Sequence, residues 1–226
     1  MSSSADRVKT PRVSAGMLWL VLEALRTQDT PPDIHPDENP HPHMPQRLGM
    51  SDVILDQIRH YRRLGLRGRV PPADAVDLFR LVARRPDAGD VFDAAGRTLA
   101  ERLFARRSRS FRLMLRILPR RARRRLALRH ARAYVEPLLG AVRFHLADPP
   151  GSLHAEGTLG GRVGSTAACR LYTAFLEETL RRFTGARWGA RHEACQAMSD
   201  GRCVWTALEP GAPAPERAPS RSERNG

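Results

Sequence analysis

At 226 residues, with 41% hydrophobic and 6% aromatic side chains, the chain is long enough for one domain built on an aliphatic core. No apolar run approaches the about 18 residues of a membrane span, which excludes a helical membrane protein. The formal charge of +14 is almost wholly arginine, since Lys9 is the sole lysine; it reads either as a surface for nucleic acid or acidic lipid, or as a coding bias that writes arginine where lysine would serve.

Residues 1–50 are expected to lie outside the folded unit. Residues 1–16 are Ser-rich and polar, with the composition of a disordered segment. Met17 to Arg26 reads as a short apolar helix. It lacks the small-residue cleavage site of a secretory signal, so a cytoplasmic protein is expected. From Thr27 to Arg47 the chain carries Pro31, Pro32, Pro36, Pro40, Pro42 and Pro45, a density that forbids helix and sheet and marks a linker. His35, His41 and His43 in this linker would hold a metal only if the tether became ordered.

Residues 51–208 carry the folded unit. Ser51 is placed to cap a helix over Asp52–Tyr61, with Ile54, Leu55 and Ile58 on its apolar side. Pro71-Pro72 opens a helix from Ala73 to Arg84, and Ala88–Arg106 is a third with Val91, Ala95, Leu99 and Leu103 on one stripe. Phe111–Leu118 and Arg120–Val135 read as two helical pieces broken at Pro119. Beyond Pro137 the patterning changes. Ala141–Leu146 alternates as a strand, Asp148–Gly151 is a turn, and Leu153–Leu159 is a second strand. A helix follows from Ser165 to Phe183, then two strands, Arg187–Cys195 and Arg202–Leu208, joined by Ser199-Asp200-Gly201. Residues 209–226 form a Pro-, Ala- and Ser-rich tail that cannot bury a core. Helices followed by a small sheet of three or four strands make the class α+β.

Three cysteines, an odd number, argue against a disulfide framework, and all of them lie in the last third of the chain. Cys195 and Cys203 flank the hairpin turn, so both thiolates can face one point. His192 precedes Cys195 by three positions on the strand entering the hairpin, and Cys169 lies on the preceding helix. Three thiolates and one imidazole satisfy tetrahedral Zn²⁺ with no open position, the pattern of a structural site. Glu193 competes with its neighbour His192 as a ligand. Strand alternation lets only one of them reach the ion, and His192 has the better spacing. Buried cysteines without special chemistry are the alternative reading of the same residues.

Gly164-Ser-Thr-Ala-Ala-Cys169, the helix Leu171–Thr184 and Trp188-Gly-Ala-Arg-His-Glu-Ala-Cys-Gln-Ala-Met-Ser-Asp-Gly-Arg-Cys203 resemble the 4-vinyl reductase domain family. That family includes a protein linked to bacteriochlorophyll synthesis and the sensor domains of aromatic-responsive transcriptional activators. In the sensor members a cysteine on a helix, an acidic strand residue, and two cysteines around a Gly-Asp turn bind zinc. The resemblance puts these roles on Cys169, His192, Cys195 and Cys203, with twenty-two, two and seven residues between them. Here His192 replaces the acidic ligand and Ser199 replaces the turn glycine. The likeness covers about Gly140 to Leu208 and implies helices on a small antiparallel sheet, as in nitric-oxide-sensing and vesicle-tethering ligand-binding domains. It further implies a homodimer formed through the N-terminal portion, and a hydrophobic pocket for a small aromatic ligand between helices and sheet.

Three functions follow. The first is a zinc-stabilised module that binds or senses a small aromatic or tetrapyrrole molecule. The second is a reductase acting on a tetrapyrrole vinyl group, although Gly160-Gly161-Arg-Val-Gly164 is no dinucleotide fingerprint. The third is nucleic-acid binding through Arg106–Arg132, where Arg120-Arg-Ala-Arg-Arg-Arg125 supplies charge but no base-reading motif.

Overall fold

The structure, a computed structural model, describes residues 13–29, 52–139, 143–147, 152–156, 158–198 and 201–208. The Pro/His linker with His35, His41 and His43, the Ser51 cap, the Asp148–Gly151 turn and the tail from 209 lie outside these residues.

A helix that is apolar all round has no face to offer water, so it is driven into the core. Such is α1 (Ala15–Asp29), in which Met17, Leu18, Leu20, Val21, Leu22, Ala24 and Leu25 are all buried. This corrects the expectation that residues up to 50 stand apart from the folded unit. The segment 13–29 belongs to the same core cluster as the helices that follow. Just before it, β1 (Val13–Ser14) pairs antiparallel with β2 (Arg69–Val70), and Ser14 Oγ donates to the Leu66 carbonyl at 2.9 Å. The polar 1–16 reading therefore fails for its last four residues. At the other end of α1, Asp29 pairs with Arg85 at 2.5 Å.

Helix α2 (Asp52–Leu64) covers one side of α1 with Ile58, its chief buried residue. Helices α3 (Pro72–Ala83) and α4 (Ala88–Ala105) follow, with Val91, Ala95, Leu99 and Leu103 buried along one stripe as the spacing predicts. Short α5 (Arg109–Ile117) is capped by Ser108, whose hydroxyl accepts from Phe111 N at 3.2 Å, and α6 (Arg120–Leu139) follows Pro119. Helix α6 runs four residues past the expected end. Pro137 falls in its last turn, two residues before the helix ends, where only the main-chain bond to residue 133 is lost.

The C-terminal part is a four-stranded antiparallel sheet in the order β3 (Arg143–Ala147), β4 (Ser152–Glu156), β6 (Cys203–Leu208), β5 (Gly189–Ala194). Strand β4 stops short of the expected Leu159 because Thr158 caps a helix, α7 (Leu159–Val163), accepting from Gly161 N at 3.1 Å. Helix α8 (Thr166–Thr184) then crosses the inner face of the sheet. Trp205 Nε1 donates to Thr173 Oγ1 at 2.9 Å, and Tyr172 stacks on the Trp205 ring at 5.4 Å. Helices preceding and covering a small antiparallel sheet confirm the α+β class.

Helices α4 and α8 are the structural spine, and they run parallel. Asp93 meets Arg170 at 2.5 Å, Glu101 meets Arg182 further along, and Phe104 meets Phe183 at 5.4 Å near both C-terminal ends. Gly96 sets their separation. A Cβ there would sit 2.3 Å from the Leu171 carbonyl oxygen, a backbone atom that cannot step aside.

Candidate metal centre

The N-terminus of α8 presents the first donor. Gly164, with φ of 69°, closes α7, and the chain turns through Ser165 into α8, placing Cys169 on the opening turns of the helix and fully buried. The positive end of the helix favours negative charge on this sulfur. Close packing of α7 depends on glycine here too. A Cβ on Gly160 would lie 2.4 Å from Cys169 Sγ.

The hairpin presents the other three. Along β5, Arg191 and Glu193 are exposed and pair with each other at 2.5 Å, so His192 between them points inward. Its ring lies flat on Trp205, 4.6 Å between centroids and 10° between planes. The register slips between His192 and Ala194, a bulge of the kind that re-aims side chains at functional sites. Cys195 leaves β5 into a single 3₁₀ turn, Gln196–Met198, closed by Met198 N to the Cys195 carbonyl at 2.8 Å. Cys203 opens β6 and is fully buried.

One donor atom from each of Cys169, His192, Cys195 and Cys203 lies within 4.8 Å of every other. Cys169 Sγ is 3.7 Å from Cys195 Sγ and 3.9 Å from Cys203 Sγ. A disulfide requires about 2.05 Å, and all three cysteines are free. The structure thus brings together all four predicted residues and leaves Glu193 outside.

The electrostatics of the pocket are those of a group of donors that could hold a cation. Cys203 Sγ is close to Cys169 Sγ and His192, bonds to Thr158 Oγ1 at 3.4 Å, and accepts from Gln196 N at 3.3 Å. These contacts, Cys169 first among them, bring its thiol down to about 4 against the penalty of burial. The other two sulfurs go the other way. The bond to Cys203, then burial, pushes the Cys169 thiol up, and burial pushes up Cys195. One thiolate forms readily, and further ones require a positive charge among them. His192 Nε2 is buried with no hydrogen-bond partner, an orphaned lone pair or proton in the same pocket.

Sequence reasoning missed the supports of this cluster. Trp205 was legible in principle, since alternation puts it on the same face of β6 as Cys203. Thr158, forty-five positions from Cys203, gives no local signal. A groove of about 520 Å³ also lies along α4, α8 and the approach to β5. It is lined by the arginines Arg97, Arg181 and Arg187, the glutamates Glu101, Glu177 and Glu178, and Ala174 and Trp188, so it is charged rather than apolar and its charges balance. Glu177 accepts from Ala190 N at 2.9 Å, and burial raises its carboxyl.

Comparison with protein-family models, with curated proteins and with solved structures finds no match to this chain.

Thr158 serves both the α7 cap and the Cys203 sulfur. Thr158→Val should weaken metal binding about tenfold or more, as outer-shell changes do, and lower the unfolding midpoint through loss of the cap. Competition titration against a chromophoric chelator measures the first effect, and unchanged affinity would show that the hydroxyl does not tune the sulfur.

Proposed function

We propose that the chain is a zinc-stabilised domain that binds or senses a small aromatic or tetrapyrrole molecule, of the 4-vinyl reductase kind. The observation that carries the reading is the convergence of three sulfurs and one imidazole within 4.8 Å. Tetrahedral Zn²⁺ with bonds of about 2.3 Å to sulfur needs sulfur–sulfur separations of about 3.8 Å. The separations of 3.7 and 3.9 Å bracket that value. Cys169, His192, Cys195 and Cys203 would fill all four positions, so no place remains for a water or substrate. The zinc is then structural, locking α8 to the hairpin, and hydrolytic chemistry at the metal is disfavoured.

The ligand half of the reading rests on the groove. Trp188 brings a ring, with the Arg124 guanidinium over it at 5.1 Å, and Arg97 and Arg187 offer partners for carboxylates, while Arg181 is already held by Glu178 and Glu101 and no apolar pocket is invoked. A planar ring bearing carboxyl groups suits both sets of contacts, and tetrapyrroles and aromatic acids share that chemistry.

Elemental analysis of purified protein should find about one zinc per chain. Cys195→Ser should lose the metal and melt the C-terminal unit, given apparent binding energies of about 10 kcal/mol or more in small zinc domains. Full folding of metal-free protein would remove the structural role. In a thermal-shift screen, aromatic carboxylates or porphyrin precursors should raise Tm, and Arg97→Gln should reduce the rise. Silence across both compound classes would remove the ligand reading and leave the metal intact.

A further inference from the structure

Helix α5 leaves an apolar stripe uncovered. Its inward side is held by buried Leu115 and by Phe111, whose ring meets Phe183 edge-on at 5.9 Å. Leu113, Met114 and Ile117 point the other way and are 62%, 39% and 81% exposed. At 3.6 residues per turn they fall within an arc of about 100°. Exposed Arg109, Arg112 and Arg116 run along one flank of that arc. Beyond Pro119, Arg121, Arg125, Arg129 and Arg132 form an exposed row on α6 at helical spacing, while Ala127, Leu128 and Ala131 face the core. From Arg102 to Val135 the sequence holds thirteen arginines and no aspartate or glutamate. Elsewhere arginine is balanced, as along α4 and α8, where Asp93, Glu101 and Glu178 answer Arg170, Arg181 and Arg182.

We propose that α5 is an interfacial helix that docks the protein on an anionic bilayer surface, with Leu113, Met114 and Ile117 entering the headgroup–acyl boundary and the arginines of α5 and α6 meeting lipid phosphates. Arginine suits that depth, because its stem lies along apolar surface while its head stays with phosphate. The helix is nine residues long and lies on the membrane rather than across it, and no described helix is long and apolar enough to cross one. Nucleic acid would use the same charge but not the stripe. Phosphate contact needs cations alone, and single-strand binding needs exposed aromatic rings, whereas the one ring of α5 is turned inward against Phe183. A second copy of the chain fits worse. Two-fold packing of the stripe would bring arginine rows that meet no carboxylate among the described residues face to face.

The test is co-sedimentation of the intact protein with vesicles of equal parts phosphatidylcholine and phosphatidylglycerol, beside vesicles of phosphatidylcholine alone. The protein should pellet with the anionic vesicles and remain in solution with the neutral ones. The triple variant Leu113→Gln, Met114→Gln, Ile117→Gln alters only exposed side chains and should keep the wild-type melting curve. Its partitioning should fall about tenfold or more, since it retains the charge and loses the inserted surface. Failure to pellet with anionic vesicles overturns the proposal. So does equal pelleting by the variant together with equal binding of an oligonucleotide, which would make this a general polyanion surface. A wild-type dimer that the triple substitution turns into a monomer would overturn it as well, by assigning the stripe to self-association.

Discussion

Three unbonded sulfur atoms, with Cys169 Sγ 3.7 and 3.9 Å from the other two, closed in by an imidazole with an unpartnered nitrogen, are the constraint on which the reading of the C-terminal half depends. Neutral thiols would satisfy such a pocket weakly, and thiolates would repel. The arrangement makes chemical sense around a cation. Everything nearby is disposed toward it: the positive end of α8 behind Cys169, the Gln196 amide and Thr158 hydroxyl on Cys203, and the Trp205 ring that fixes the plane of His192.

The pocket is also where the two halves of the architecture meet. Helix α8 carries Cys169 near its start and ends beside Phe104, so the same helix belongs to the four-donor cluster and to the parallel pair with α4. Gly96 allows that pair to touch at backbone distance, and Gly160 does the same between α7 and the Cys169 sulfur. Helix α1 completes the core from the far side. A metal held by the four donors would therefore steady the helical layer as well as the sheet, and the groove by Trp188 lies along α4 and α8.

Much of this was legible in the residues because the signals were local. Helices α3, α4 and α8 announced themselves through prolines, glycines and four-residue apolar spacing, and the four donors through the placement of Cys195 and Cys203 around a turn. The order of the strands is another matter. Nothing in Ser152–Glu156 says that it will sit between β3 and β6, because pairing of distant strands is set by the packing of the whole sheet. Helix α1 departs from its sequence context for a similar reason. Its proline-rich flank suggests an appendage, while its all-round apolarity calls for burial, and the second force is the larger. Thr158 could not be read at all, since its partner Cys203 is near only in space.

The C-terminal half turns on what those four donors hold. X-ray absorption at the zinc edge of the purified protein tests this most directly. The account predicts a four-coordinate ion with three sulfur neighbours at about 2.3 Å and one nitrogen at about 2.0 Å. A shell of oxygen or water ligands, or protein that is fully folded and free of zinc, would contradict it.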